Sequence, residues 1–170
     1  LFSISVVDWM GDAVVGNPPY GRQESLSSAN KDEALRCLSR DWAGVADGLI
    51  GIGRRADLAA LCMARMLRMT RLGGRVGLVV SSALFDAGYA RALWQGLEEV
   101  AALVAVVESP DERWFADAAV NSVIVVFERG AAPAPFPIAR LRVPVAAARD
   151  RVSGLGDHEA VADIRIADPM

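Results

Sequence analysis

The residues with most to offer chemically sit in one short stretch, Ala13-Val14-Val15-Gly16-Asn17-Pro18-Pro19-Tyr20-Gly21, where an apolar run gives way to a constrained polar turn. Each proline fixes its own φ, lacks an N–H and pushes the preceding residue into an extended conformation. Such a turn presents acceptors, the Asn17 side-chain oxygen and the Pro18 main-chain oxygen, with few competing donors. An amino group on an aromatic ring is a poor nucleophile because its lone pair is delocalised into the ring. If each of the two oxygens accepts one N–H, the nitrogen can pyramidalise and aim its lone pair at a methyl group, and the same dipoles stabilise the charge that develops. Pro19 stiffens the turn. Tyr20 would stack on the base, which must have left a duplex for its amino group to be reached. A Pro-Pro turn can also be only a loop, so the surrounding elements decide what it means.

Short β-branched runs recur between helical stretches, at Ile4 to Val7, Ala13 to Val15, Val76 to Val80, Leu103 to Val107 and Val120 to Phe127. Continuous apolar character of this kind suits strands of a sheet covered on both faces. From about Ala56 to Leu72 the spacing of Leu58, Cys62, Met66 and Met69 predicts a helix, with Arg68 and Arg71 facing away and Gly73-Gly74 as its stop. A second helix is expected from about Leu84 to Val100, carrying Tyr89, Leu93, Leu97 and Val100 on one face. Strands alternating with helices indicate an α/β domain with right-handed crossovers. Residues 111–119 are too few for a crossover helix, so Leu103 to Val107 and Val120 to Phe127 should pair antiparallel at one edge of the sheet. The stretch Gln23 to Gly53 is the least regular, with a short helix expected from about Lys31 to Leu38. From Gly130 the composition shifts to Ala and Pro, which reads as a linker, or the start of a following region, with one edge strand at Ile138 to Val143. The expected division is thus 1–129 and 130–170.

A hydrophobic share of 53% against 23% charged excludes a disordered chain, and 170 residues suffice for one core. The net charge of -3 excludes a strongly basic free-standing nucleic-acid binder, so if DNA is the substrate other segments must supply much of the grip. Cys37 and Cys62 lack metal-ligand spacing and His158 is the lone histidine, so no metal site is expected and a reducing cytoplasm fits. No apolar run approaches the roughly 20 residues needed to span a bilayer, so no membrane partner is expected. The arginines at 54, 55, 65, 68, 71 and 75 read as a solvated helix face paired with acids.

Asn-Pro-Pro-Tyr after an apolar strand resembles the catalytic motif of the amino-methyltransferase family of DNA methyltransferases, in the subgroup whose donor-binding half precedes that motif. The likeness continues through Ala56-Asp57-Leu58-Ala59-Ala60-Leu61 to Leu72-Gly73-Gly74-Arg75-Val76-Gly77-Leu78-Val79-Val80. It is strongest toward the large methylase subunits and fused enzymes of restriction-modification and phage-defence systems. The resemblance implies a partial Rossmann-like class I methyltransferase sheet, α/β, with helices on both faces and an antiparallel edge hairpin. It implies S-adenosylmethionine as methyl donor, the N6 amino group of a flipped adenine as acceptor, double-stranded DNA as partner, and catalytic roles for Asn17, Pro18, Pro19 and Tyr20. Val6-Val7-Asp8-Trp9 is similar to the donor-contacting strand end, with Asp8 on the adenine amino group and Trp9 over its ring. Trp114-Phe115-Ala116-Asp117-Ala118-Ala119-Val120 resembles the late hairpin motif, where Phe115 would line the base pocket. The glycine-rich turn for the donor's methionine part and the target-recognition region are expected outside this sequence, which starts in a strand-like run from Leu1.

Two other functions compete. A protein-glutamine methyltransferase would polarise an amide nitrogen in the same way, but Tyr20 is not followed here by the Glu-Pro segment and glycine-rich turn of that class; an amino group in structured RNA is a weaker variant. The other reading is a non-catalytic fragment or scaffold.

Overall fold

The structure, a computed structural model, describes residues 10–19, 27–51, 58–86, 90–109, 114, 121–151 and 161–169. Among these residues six strands form one mixed sheet: β1 (Gly11–Gly16), β2 (Thr70–Ser81), β3 (Ala101–Glu108), β4 (Ser122–Arg129), β5 (Phe136–Leu141) and β6 (Ala162–Ala167), in the order β1-β2-β4-β3-β5-β6. The pairs β1/β2 and β3/β5 are parallel, and β2/β4, β3/β4 and β5/β6 antiparallel. Among the described residues five helices accompany the sheet: α1 (Ser28–Trp42), α2 (Asp47–Ile50), α3 (Leu58–Arg68), α4 (Ala90–Glu98) and α5 (Val145–Arg151).

The α/β class and the antiparallel β3/β4 pair match the sequence expectation, but the pair is not at an edge. Beyond β3 lie β5 and β6, so the Ala/Pro-rich segment contributes two strands to the same sheet, and the expected edge strand at Ile138 to Val143 is an interior one, Phe136–Leu141. The prolines there mislead because Pro133 and Pro135 precede the strand, and Pro144 follows it, immediately before α5. The run Ile4 to Val7 lies outside the described residues.

Local chemistry explains the element ends. The Ser27 hydroxyl accepts from the Asn30 N–H at 3.3 Å and caps α1. Ala34, Cys37, Leu38 and Trp42 then recur on its buried face, and Gly44 at φ +69 leaves the helix in the left-handed region. Helix α3 ends at Arg68, short of the expected Gly73-Gly74 stop, because the chain is already in β2 from Thr70. Its deepest residues are Ala60, Met63, Ala64 and Leu67, one step round from the expected stripe, and Cys62 is buried beside them. The segment before α4 is a 3-10 turn, Ser82–Phe85, capped by the Ser81 hydroxyl.

Helices α1 to α4 share one core on a single face of the sheet, against Val76, Leu78 and Val80 of β2 and Val123, Val125 and Phe127 of β4. Helix α5 covers the opposite face only at the β5/β6 end, where Ala148 meets Val161, Ala162, Ala139 and Leu141. On β1 Val14 packs into the main core, while Val15 points the other way and is 83% exposed.

The expectation of solvated arginines fails at Arg65, which is fully buried and ion-paired with Asp41 of α1. Arg68 reaches the Asp41 carbonyl at 3.1 Å, and Arg129 of β4 donates to the carbonyls of Arg68 and Thr70 with its guanidinium 5.6 Å over the Trp42 ring. Burial, and then the like charge of Arg68, lower the Arg129 pKa. Charge is tolerated at this depth because carbonyls, a carboxylate and a π face replace the lost water.

Where α2 crosses α4 the backbones touch. A Cβ on Gly96 would lie 2.5 Å from the Leu49 nitrogen and 2.6 Å from the Gly48 carbonyl carbon. Backbone cannot yield as a side-chain tip can, so Gly96→Ala is expected to cost about 1–3 kcal/mol by overpacking. Urea denaturation checks this, and a midpoint equal to the parent's would refute it.

Candidate active site

The motif leaves the end of the first strand. Strand β1 runs parallel to β2, with Val15 opposite Gly77 and Gly16 opposite Leu78, and Asn17 leaves at its carboxyl end. Ligands of open α/β sheets bind beyond that end of the strands. Asn17 is exposed, Pro18 buried and Pro19 exposed, so one proline ring anchors the turn while Asn17 is open to solvent. Tyr20, Asp8, Trp9 and Phe115 lie outside the described residues.

Helix α3 backs this strand end. A Cβ on Gly16 would lie 2.8 Å from Met66 Cε and 3.3 Å from its Sδ. The missing side chain at Gly16 therefore makes room for Met66 at the end of β1. Sequence reading placed Met66 on a helix face but could not pair it with Gly16, because that contact spans the whole crossover from β1 to β2.

Polar residues gather at the same end of the neighbouring strands. Ser81 faces Ser122 across the β2/β4 pair, and the Ser82 N–H donates to the Asn121 carbonyl at 2.8 Å. The Ser122 hydroxyl is buried and has no hydrogen-bond partner among the described residues. Sequence reading missed these residues; the available signal was serine and asparagine at the junctions of two apolar runs. Away from this end, Cys37 is buried in α1 with its Sγ 3.7 Å from Glu33 Oε1, and desolvation raises its pKa, which holds it as a thiol and unsuited to nucleophilic attack. Among the described residues no cluster of three or more His, Cys, Asp or Glu side chains could hold a metal ion. No helix among them is long and apolar enough to cross a membrane.

Residues 11–103, more than half of the chain, match the model of the Eco57I restriction-modification methylase family. The chain belongs to that family. The match opens at the first residue of β1, so it contains both Asn17-Pro18-Pro19 and the crossover through α3 that supports it. A search of curated proteins gives no match.

Solved structures of restriction-modification proteins share the fold. The type IIG restriction endonuclease BpuSI superposes with a TM-score of 0.70 at 13% identity, over 98% of this chain and 20% of that one. The type I restriction-modification methyltransferase subunit of Streptococcus thermophilus gives 0.60 at 14% identity, over 93% and 35%. A Listeria monocytogenes protein assigned to the class I S-adenosylmethionine-dependent methyltransferases gives 0.60 at 15% identity, over 86% and 42%. This is the class I methyltransferase fold, and the chain spans less than half the length of each of these proteins.

The fold implies S-adenosylmethionine, and the described strand end can be tested against it. Residues 10–19 hold one carboxylate, Asp12, and it lies at the far end of β1 in an ion pair with Arg71. No carboxylate of this segment is therefore placed to hold ribose hydroxyls at the Asn17 end, and the described residues there do not fit the donor by themselves.

Two expectations follow. Gly16→Val should cost about 1–3 kcal/mol by driving into Met66, and adding Met66→Ala should recover at least half of that loss; strictly additive urea midpoints would contradict the contact. Calorimetric titration of the 170-residue chain with S-adenosylmethionine should give no micromolar binding, and a clear micromolar isotherm would show that the donor site is already complete.

Proposed function

We propose that this chain supplies the acceptor side of an S-adenosylmethionine-dependent DNA methyltransferase of a restriction-modification or phage-defence system, acting on the N6 amino group of an adenine flipped out of double-stranded DNA. The observation that supports this reading most is the exposed Asn17 amide, followed by a buried proline, at the carboxyl end of a parallel strand of a restriction-modification methylase domain.

In this reading the Asn17 side-chain oxygen and the Pro18 carbonyl each accept one N–H of the target amino group. The nitrogen lone pair is withdrawn from the ring and becomes available for attack. Pro18 and Pro19 hold the turn so that neither acceptor must reorganise, and Met66 packs against Gly16 at the strand end just before it. Tyr20 and Phe115 would hold the base by stacking. The donor, which supplies the methyl group, would be held by Asp8 and Trp9 at its adenine and by segments beyond this chain. DNA contacts and target recognition would also fall to such segments, since a chain of net charge -3 is not basic enough to hold a duplex alone. Residues 1–129 would then be the catalytic half, with β5 and β6 extending its sheet.

Substitution at Asn17 tests this. In the whole protein Asn17→Ala should lower kcat by about 100-fold or more while changing donor affinity little, as expected for an acceptor used in the transition state. Radiolabelled methyl transfer to unmodified DNA gives kcat, and donor titration gives the affinity. Turnover within a few-fold of the parent would overturn the assignment.

A further inference from the structure

Strand β6 ends the sheet on the side away from Asn17, and among the described residues no strand pairs with its outer edge. Such an edge offers a row of main-chain donors and acceptors to any strand that can align with it. The Arg142 N–H donates to the Val161 carbonyl at 2.8 Å, and the β5/β6 pairing continues from there to Phe136 and Ala167 without a shift. Antiparallel partners alternate between hydrogen-bonded and non-hydrogen-bonded pairs, so residues 161, 163, 165 and 167 turn their main-chain groups to β5. Those of Ala162, Ile164 and Ile166 point outward.

The side chains along this edge are complementary to themselves. In Ala162-Asp163-Ile164-Arg165-Ile166-Ala167 one acid and one base flank Ile164. Successive side chains of a strand alternate faces, so Asp163 and Arg165 share one face and Ile164 and Ile166 the other. All four are exposed, Ile164 by 45% and Ile166 by 68%. With a second copy laid antiparallel along the edge, Ile164 against Ile164, Asp163 of each copy meets Arg165 of the other and Ile166 meets Ala162. In this register the outward groups of the two strands face one another and form about six main-chain hydrogen bonds. The Asp163 and Arg165 pairs fall at the non-hydrogen-bonded positions, where side chains come closest. Asp163 also pairs with Arg142 at 3.3 Å, but its side chain is 67% exposed and a carboxylate accepts from several donors.

Other registers are penalised. A shift of two residues sets Asp163 against Asp163 or Arg165 against Arg165, and a shift of one sets the charged face against the isoleucines. Charges on an edge ordinarily discourage pairing. Here their spacing admits one alignment with one partner.

We propose that the β6 edge joins two copies of this chain about a two-fold axis at Ile164, making one sheet continuous through both. The contact is isologous and closes on itself, so it stops at a dimer. It leaves the Asn17 turn clear, because β1 lies five strand spacings from β6, about 24 Å across the sheet. The inference goes beyond the methyl-transfer reading and does not depend on it.

Sedimentation equilibrium of the 170-residue chain should show monomer and dimer in exchange, with the dimer populated below about 300 μM. Arg165→Asp sets acids against acids and Asp163→Arg sets bases against bases, so each variant alone should dimerise about tenfold or more weakly. Mixed in equal amounts, the two variants should pair with each other about as tightly as the parent pairs with itself, because every acid again meets a base. Association through any other face would not show that rescue. Ile164→Cys should give a disulfide-linked dimer on mild oxidation, since hydrogen-bonded partners hold their Cα atoms about 5.5 Å apart. Cys37 and Cys62 are buried and do not compete. If either charge variant fails to fold, this cross-link decides. A parent that stays monomeric to about 300 μM, single variants that dimerise like the parent, a mixture no tighter than its components, or no cross-link would overturn the proposal.

Discussion

Much of this architecture follows from one constraint, the parallel pairing of β1 with β2. Parallel neighbours cannot be joined by a tight turn, and the connection must cross one face of the sheet. Here the crossover begins at Asn17 and ends at Met69, and it carries α1, α2 and α3. Because it must start at the carboxyl end of β1, the Asn-Pro-Pro turn is placed at the ligand-binding end of the sheet by topology alone. The proline pair ends the strand and, in the proposed reaction, would serve the chemistry as well by leaving acceptors without donors at the point of departure.

A long crossover is useful to a site only if it is tied down, and two different kinds of contact do so. The buried Arg65 and Asp41 pair, with Arg68 on the Asp41 carbonyl and Arg129 over Trp42, joins α1, α3 and β4. Such a network is expensive to desolvate and unforgiving when one member is lost, which makes it better at fixing one arrangement than at adding stability. The other contact is backbone on backbone, where Gly48 and Gly96 let α2 and α4 approach closely. Together they hold α3 against β1 and place Met66 under Gly16.

The legible parts of the fold were those written in local pattern. Strands β1 to β4, helices α3 and α4 and the antiparallel β3/β4 pair could be read because β-branched runs and helical spacing are properties of short windows. The number of strands beyond β3 was not, since Phe136–Leu141 and Ala162–Ala167 are short, proline-flanked or mixed in polarity, and gain their strand character only from the register of β5 with β3 and β6. Arg65 misled for a similar reason: nothing near it in sequence reveals that Asp41, 24 residues away, will meet it in the core. At the candidate site, Asn17, Pro18 and Pro19 could be named from the sequence because the turn they form is contained in consecutive residues. Met66 and Ser122 could not, because each is brought to that end by the packing of α3 on β1 and by the pairing of β2 with β4.

The exposure of Asn17 bears on how such a turn can polarise an amino group. An amide facing water is already hydrogen-bonded to solvent, and in that dielectric its dipole does little for a charge a few ångströms away. Its effect grows only when water is excluded, since fixed dipoles act strongly in a dry site and need no reorganisation. In this chain Pro18 is buried beneath the turn and Met66 closes the space below Gly16, but nothing among the described residues covers Asn17 from above. In the proposed reaction the base that enters must therefore complete the dry environment itself, its ring displacing water from the acceptors as its amino group takes their hydrogen bonds. Coupling base capture to desolvation would keep the polarising power small until the substrate is in place, so that the turn acts on the ring it has captured and not on the amines of the surrounding solution.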